Sequence, residues 1–362
     1  MDAVTPEHGL LPRRRIKSLE IGRGLAALAV VVFHANTSAR FYDGPSVPWL
    51  NVTEYGVDFF FLLSGYIIYH AHQGDIGRPG GVGSYLKSRT FRLFPVLWTV
   101  VAAVALLRLT IGNTTSFSTL MMSMFPYPSL EPPLPQVVWT LRHEMLFYAA
   151  FALLILSARW GYALFALWGL ACVAQIIASI AGVPVTGAWS LPLSSYTLDF
   201  MIGMAIANFH SRRHFAPSYG PLMLGLALLA GVLAITHIMD FGRDDFWDYV
   251  SVRATVWTLV RGLAFGLVVH GLVCAEPLVG ERNPFVSLGA ASYAIYLIHT
   301  PVNSILQRIA VYIPDMLLEL GAGHFFLVGG GVLAGYILHY GYERPVGIFL
   351  KRKFISPTIH KP

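Results

Sequence analysis

The sequence predicts an all-α membrane protein, a polytopic bundle of about ten transmembrane helices. Of its 362 residues, 55% are hydrophobic and only 12% are charged, whereas a soluble domain carries about 25% charged residues. The mean hydropathy is +0.60. The apolar segments are long enough to approach the roughly 20 residues that cross a bilayer. They lack the period-two alternation of a membrane β-barrel, so helices are predicted.

Ten segments along the chain meet this description, and they take up most of its length. They lie near residues 19–39, 54–72, 93–110, 137–157, 161–181, 194–210, 220–239, 254–275, 286–307 and 323–342. We therefore expect a basic cytoplasmic N-terminus over 1–18, a membrane domain over 19–345 and a basic cytoplasmic tail over 346–362. The first residues do not resemble a cleavable signal peptide, because a basic cluster follows acidic residues and a proline.

The distribution of basic residues predicts the orientation. The net charge is +6, and with ten spans most Lys and Arg residues fall in the loops of one side. The opposite loops hold only Arg40, Arg243, Arg253 and Arg308. This asymmetry is the positive-inside pattern, so both termini are predicted to be cytoplasmic. The positive charge is thus explained by the lipid bilayer, and no nucleic-acid partner is expected.

Cysteine usage points to no disulfide framework and no metal site. The chain has two cysteines, Cys172 and Cys274. Both lie inside apolar segments, where a buried thiol usually packs as a small hydrophobic group.

Two similar segments each carry an arginine and a histidine, RGLAALAVVVFH (23–34) and RGLAFGLVVH (261–270). At about 100° per residue, Arg23 and His34 fall within about 20° of each other, whereas Arg261 and His270 point in roughly opposite directions. The first pair is separated by about 16 Å along the axis, which puts Arg23 near the cytoplasmic boundary and His34 beyond the middle of the membrane.

Two interpretations remain open for the first pair. Ionisable groups inside spans usually face the bundle interior and are functional candidates. Alternatively, Arg23 snorkels to the surface and His34 is a hydrogen-bonded packing residue. For Arg261 and His270 the structural interpretation is favoured.

Two further motifs occupy the next predicted spans. GVDFFFLLSGY (56–66) contains Asp58 and the pair Ser64-Gly65, whose small side chains permit close helix packing. KSRTFRLFP (87–95) places Arg89 and Arg92 on one helical face, after Lys87. Two guanidiniums so placed suit bidentate phosphate binding, although anchoring at the cytoplasmic surface explains them equally well.

WTLRHEMLFY (139–148) favours function over packing. It holds Arg142, His143 and Glu144 in succession within an apolar segment. Burying such groups without purpose costs several kcal/mol, on the order of the penalty for an unpaired polar group.

Two C-terminal motifs add polar groups. ASYAIYLIHTP (291–301) gives Ser292, Tyr296 and His299 at helical spacing, and GYERP (341–345) places Glu343 at the end of the last predicted span. The sequence contains no H-E-x-x-H, Walker loop or G-x-S-x-G motif. No metal and no permanently bound cofactor is therefore expected.

In their joint order, these motifs resemble acyltransferase family 3, the bacterial multi-helix membrane acyltransferases that modify carbohydrates and related molecules. The resemblance covers nearly the whole chain. It begins with the arginine and histidine of the first span and GVDFFFLLSGY, and continues through RTFRLFP, WTLRHEMLFY and SYAIYLIHTP to the terminal ERP.

The resemblance implies an O-acyltransferase of the bacterial inner membrane. It implies acyl-CoA, most often acetyl-CoA, as co-substrate and a hydroxyl of a carbohydrate or glycoconjugate as acceptor. His34 is implied as the catalytic base and Arg23 as its partner. Arg89 and Arg92, with Lys87 beside them, are implied to bind the donor.

Glu144, His299 and Glu343 match motif positions of the family, and we class Glu144 with the catalytic candidates. Asp58, Ser64, Arg142, His143 and Tyr296 complete the candidate site.

Three questions stay open at this level. Either His34 deprotonates the acceptor directly, or it carries the acyl group as an intermediate. The acceptor is an exopolysaccharide, O-antigen, peptidoglycan, a lipid-linked sugar or a glycosylated metabolite. A transporter that uses the same charges for proton or anion coupling is the alternative function, although the two RGLA copies differ too much to form a clear repeat.

Overall fold

The computed structural model describes residues 16–213, 215–239, 248–280 and 283–354, and these form thirteen α-helices without a β-strand. The helices are α1 (Lys17–Ser38), α2 (Gly56–His72), α3 (Val82–Thr110), α4 (Phe117–Met124), α5 (Trp139–Leu156), α6 (Ala158–Ile180), α7 (Ser195–Arg212), α8 (Gly220–Ile238), α9 (Thr258–Ala275), α10 (Pro284–Ala310), α11 (Asp315–Glu319), α12 (Ala322–Leu338) and α13 (Arg344–Phe354).

The predicted polytopic helical bundle is confirmed, and helices form at all ten predicted segments. Among the described residues, eight helical stretches are long and apolar enough to cross a membrane. The helices α2 and α7 are not among the eight. They are short, with 17 and 18 residues, and each carries an aspartate, Asp58 in α2 and Asp199 in α7.

Helix bounds differ from the prediction where polar residues continue a helix. The third helix begins at Val82, whereas the apolar segment begins near 93, so the whole RTFRLFP motif is helical. Short helices α4 and α11 also form in segments predicted as loops. Both differences have the same cause. The length of an apolar segment indicates which residues cross the hydrocarbon core, but a helix can continue or form in the more polar residues outside it.

The helices that carry the candidate residues pack closely. The first helix contacts α2, α10 and α12, and α2 contacts α7 along its length. Gly65 makes the second contact possible, because a Cβ there would lie 2.0 Å from the Phe200 carbonyl oxygen of α7. The predicted close approach at Ser64-Gly65 is thus confirmed.

Parts of the predicted termini and of one outer loop lie outside the described residues, namely 1–15, 240–247 and 355–362. Within the described tail, Lys351, Arg352 and Lys353 are exposed on α13.

Candidate active site

Two cavities lie back to back inside the bundle, with Val57 and Tyr296 lining both. We call the larger, of about 770 Å³, the arginine cavity, because Arg23, Arg89 and Arg92 line it. The smaller, of about 380 Å³, is the histidine cavity, lined by His34. Helices α1, α2, α5 and α10 contribute to both cavities, so sequence motifs far apart in the chain meet here.

The arginine cavity presents three guanidiniums from two helices. Arg23 donates from Nε to Ser292 Oγ over 2.6 Å and lies 3.6 Å from Glu20. Arg89 and Arg92 project from one face of α3 into the same space. Neither forms an ion pair within the described part of the chain, and Arg89 Nε has no hydrogen-bond partner there. Their donors therefore remain available to an anionic ligand.

A carboxylate, that of Glu144, also lines the arginine cavity. Glu144 of α5 accepts hydrogen bonds from Tyr148 and, over 3.3 Å, from Ser64 of α2. Glu20, Glu144 and Glu343 also lie within electrostatic range of Arg92. The cavity thus carries charged groups from α1, α3 and α5 among largely apolar side chains, and its guanidiniums can bind a ligand that carries phosphates.

The histidine cavity combines one imidazole with carboxylates and aromatic walls. It is lined by His34, Glu54 and Asp58 together with aromatic side chains, which are Phe33, Tyr55, Trp139, Tyr196 and Tyr296. Tyr296 is held by hydrogen bonds at its hydroxyl to Thr140 Oγ1 (3.1 Å) and the Val137 carbonyl oxygen (3.2 Å). Tyr296 therefore lies at the boundary between the two cavities.

A second histidine and a backbone carbonyl together determine the protonation pattern of His34. His299 is fully buried, and its Nδ1–H donates to the Ile295 carbonyl oxygen over 3.1 Å. Because a carbonyl oxygen only accepts, His299 Nε2 in the neutral ring carries a lone pair. This atom lies 3.2 Å from His34 Nδ1, which also lies 3.0 Å from the Val30 carbonyl oxygen.

Both neighbours of His34 Nδ1 are acceptors, so the proton of the neutral His34 ring resides on Nδ1. His34 Nε2 is then unprotonated, and it forms no hydrogen bond with any described residue. A lone pair held in a cavity by a buried partner is the arrangement required of a general base.

Next to the histidine cavity lies a buried ionic cluster. Arg261 Nε donates to Asp58 Oδ2 over 2.7 Å, and both side chains are 1% exposed. The guanidinium also stacks on the Tyr55 ring, with Cζ 3.8 Å from the ring centroid. Asp199 of α7, fully buried, lies within electrostatic range of the pair, and neither of its carboxylate oxygens has a hydrogen-bond partner in the described chain.

The structure separates the two RGLA segments as the helical spacing predicts. Arg23 and His34 both face α10, through Ser292 and His299 respectively, but they line different cavities. In the second segment Arg261 faces α2, whereas His270 faces His210 of α7. Arg261 is buried in an ion pair and does not snorkel.

Other candidates lie outside the two cavities. Arg142 is buried and donates to the Ser129 carbonyl oxygen, in the loop that follows α4. His143 packs among aromatic rings, with the Phe61 ring centroid 5.4 Å away. Lys87 is exposed on α3. Glu343 accepts from His339 Nδ1 over 2.7 Å. Of the three candidates Arg142, His143 and Glu144, only Glu144 lines either cavity, and Thr140 of the same motif lines the arginine cavity beside it.

Several cavity residues were not among the sequence candidates. Tyr148 is one, although its spacing of four from Glu144 within the same motif is a usable signal. Glu54 and Trp139 are others, and they look like ordinary interface residues in the sequence. Arg261 was interpreted as structural because nothing in the sequence pairs it with Asp58, which lies 203 positions away.

The chain is similar in sequence to known proteins. The model of acyltransferase family 3, described as an acyltransferase domain, matches residues 16–345. The chain belongs to this family. The predicted membership is confirmed, and the protein is a membrane acyltransferase. This result favours acyl transfer over the transporter alternative.

Two curated relatives are similar over most of the chain. The exopolysaccharide production protein ExoZ of Rhizobium meliloti is 29% identical over 308 residues, covering 80% of this chain and 88% of ExoZ. The peptidoglycan O-acetyltransferase OatA of Listeria monocytogenes is 22% identical over 319 residues, covering 80% of this chain and 50% of OatA. No solved structure matches the chain significantly.

Proposed function

We propose that this acyltransferase moves an acetyl group from acetyl-CoA to a hydroxyl of a cell-envelope carbohydrate, in the inner membrane of a bacterium. One observation supports the proposal above the others. The unprotonated Nε2 of His34 lies in a cavity that shares a wall with a second cavity carrying three arginines.

The arginine cavity is the proposed donor site. The phosphates of coenzyme A require several positive donors, and guanidinium groups form bidentate, charge-assisted hydrogen bonds with phosphate oxygens. Arg89 and Arg92 lie on the part of α3 that the positive-inside pattern assigns to the cytoplasm, where acyl-CoA is available. The thioester arm then extends past Tyr296 towards His34.

The histidine cavity is the proposed acceptor site. His34 Nε2 takes the proton of the acceptor hydroxyl as its oxygen forms a bond to the thioester carbonyl carbon. The carbon–sulfur bond then breaks, and His34 returns the proton to the departing thiolate of coenzyme A. No net proton is consumed, so a histidine that is neutral at rest suffices.

His299 acts in this scheme through His34. By accepting from His34 Nδ1–H, it keeps the lone pair on Nε2 and fixes the ring orientation, as the carboxylate of a catalytic triad does. Asp58, which lines the same cavity, is held in place by its hydrogen bond from Arg261. The alternative in which His34 itself carries the acetyl group uses the same lone pair, and trapping a labelled acyl-enzyme distinguishes the two routes.

A carbohydrate acceptor is supported by the relatives and by the wall chemistry. One relative is named for exopolysaccharide production and the other for peptidoglycan O-acetylation. Tyr55, Trp139 and Tyr196 offer apolar ring faces, and Glu54 offers a hydrogen-bond acceptor for hydroxyl groups. This combination suits sugar rings, which have apolar faces and polar edges.

The proposal is tested by incubating the protein in nanodiscs with acetyl-CoA labelled in the acetyl group and with fractionated envelope glycans. We expect label to enter a glycan as an ester that mild alkali releases. Release of free acetate alone, with every glycan unlabelled, would contradict the proposed acceptor class. Failure to consume acetyl-CoA, while a longer acyl-CoA is consumed, would contradict the proposed donor.

A further inference from the structure

A second cluster of reactive side chains lies outside both cavities, at the opposite ends of α7 and α9 from the histidine cavity. His210 is in the last turn of α7, and His270 and Cys274 are in the last two turns of α9. One ligand atom from each of the three residues lies within 4.8 Å of the others. None of the three lines the arginine or the histidine cavity.

We propose that His210, His270 and Cys274 form a binding site for a transition-metal cation, Zn²⁺ by preference. Two imidazole nitrogens and one thiolate are a donor set that zinc takes in proteins, with a fourth position left to water. Redox-inert Zn²⁺ matches this mixture of nitrogen and sulfur better than Mg²⁺ or Ca²⁺, which require oxygen ligands.

The spacing of the ligands fits chelation. His270 and Cys274 are separated by four residues, so they lie on one face of α9, and His210 approaches them from α7. His210 Nε2 lies 2.8 Å from His270 Nδ1, whereas Cys274 Sγ lies 3.8 Å from the other ring nitrogen of His270, Nε2. A metal takes one nitrogen of each ring, and one ligand atom from each of the three residues lies within 4.8 Å of the others. Bonds of about 2.1 Å to nitrogen and 2.3 Å to sulfur require ligand atoms roughly 3.3–3.7 Å apart. We expect side-chain rotation to bring one atom of each residue to these separations when a cation binds.

The surroundings favour a bound cation over an open surface cluster. Phe215, in the segment between α7 and α8, packs on both imidazoles, with ring centroids 4.8 Å from His210 and 5.2 Å from His270. Cys274 is buried, and the histidines are partly exposed. Apolar cover on one side limits exchange with water, and the partial exposure of the histidines leaves an entry path.

Binding has a defined proton balance. The hydrogen bond between His210 and His270 breaks, and each ring turns one lone pair to the metal. Cys274 loses its thiol proton to solvent and binds as the thiolate. The bound ion then cross-links the C-terminal ends of α7 and α9 and takes no part in acyl transfer.

Cobalt provides the most direct test, because a Co²⁺–thiolate bond gives a near-ultraviolet charge-transfer band. The whole protein in nanodiscs is stripped with a chelator and titrated with Co²⁺, and then with Zn²⁺ in competition. The variant Cys172→Ala leaves Cys274 as the only thiol, so a thiolate band in it belongs to Cys274.

We expect one equivalent of Co²⁺ per chain, a thiolate band that Cys172→Ala retains and Cys274→Ala loses, and displacement of Co²⁺ by Zn²⁺. His210→Gln weakens binding roughly tenfold or more, because even residues behind the ligands typically contribute 10- to 100-fold. His237→Gln, on α8, is the matched control and leaves binding unchanged.

All four variants keep acyl transfer if the protein folds, which separates this proposal from the proposed function. Zn²⁺ also raises the unfolding temperature of the wild type but not of the variant Cys274→Ala. An absence of Co²⁺ binding by the wild type at micromolar concentration overturns the metal site, and so does binding by Cys274→Ala and His210→Gln that is as tight as that of the wild type. In that event the cluster is a hydrogen-bonded pair of neutral histidines beside a packed thiol.

Discussion

The Nε2 atom of His299 lies 3.2 Å from the Nδ1 atom of His34. This contact joins α10 to α1 and places the lone pair of His34 on its other nitrogen, towards the histidine cavity. In the proposed mechanism, His299 acts as a positioning residue for His34.

Replacement of His299 tests that role. We expect His299→Phe to lower kcat about 10- to 100-fold with little change in the KM for acetyl-CoA, because losing a partner that orients a catalytic imidazole typically has an effect of this order. His299→Gln offers a side-chain oxygen as acceptor and should recover part of the activity. Initial rates of CoA release measure both effects. A wild-type kcat in His299→Phe would remove His299 from the account.

The arginine cavity predicts a change in donor affinity. We expect Arg89→Ala or Arg92→Ala to raise the KM for acetyl-CoA roughly tenfold or more, since a hydrogen bond to a charged group contributes about 1.5–3 kcal/mol. Steady-state kinetics over a range of donor concentrations measure this.

Lys87→Ala is the matched control on the same helix, because Lys87 is exposed and does not line the cavity. Its KM should stay within twofold of the wild-type value, as expected for an exposed residue without contact to the donor. If Lys87→Ala raised the KM for acetyl-CoA as much as Arg92→Ala does, the donor would not be bound specifically by the arginine cavity.

In the buried ionic cluster, we expect the ion pair of Asp58 with Arg261 to affect stability more than Asp199 does. Removing the guanidinium in Arg261→Met leaves Asp58 unpaired and should lower stability by about 3–5 kcal/mol. Asp199→Asn should have a much smaller effect, because Asp199 accepts no hydrogen bond in the described chain. Unfolding temperatures in detergent measure both.

A double variant provides the control for this cluster. Asp58→Asn combined with Arg261→Met removes both charges and should unfold at a higher temperature than Arg261→Met alone. If the double variant is the less stable of the two, the penalty does not arise from an unpaired charge.

The contact between α2 and α7 predicts a packing defect. Gly65→Ala brings a methyl group against the Phe200 carbonyl oxygen and should cost about 1–3 kcal/mol, as overpacking typically does. Gly329→Ala on α12 is the matched control, because a Cβ there meets no atom within 4 Å. Similar unfolding temperatures for the two variants would contradict the close approach.

Local patterns in the sequence predict the fold well and the site in part. Apolar length and helical spacing are properties of one segment, so the positions of the spans and the shared face of Arg23 and His34 could be predicted. The pairing of Asp58 with Arg261 and of His210 with His270 depends on which helices become neighbours. Nothing within either segment encodes that choice.

The same limit applies to the motif TLRHEM. The sequence alone does not rank Arg142, His143 and Glu144 as candidate site residues. Successive residues on a helix point about 100° apart, so the three side chains meet different surroundings. Of these three, the packing of α5 against α2 places only Glu144 in the wall of the arginine cavity. Lys87 is excluded from the cavity wall for a similar reason.

The most direct test of the account is the rate of CoA release from acetyl-CoA by the wild type and by His34→Gln, in the presence of an accepting glycan. The unfolding temperatures of the two proteins are compared to exclude misfolding. The account predicts loss of nearly all glycan-dependent release in His34→Gln at an unchanged unfolding temperature. Release at the wild-type rate by a folded His34→Gln protein would contradict it.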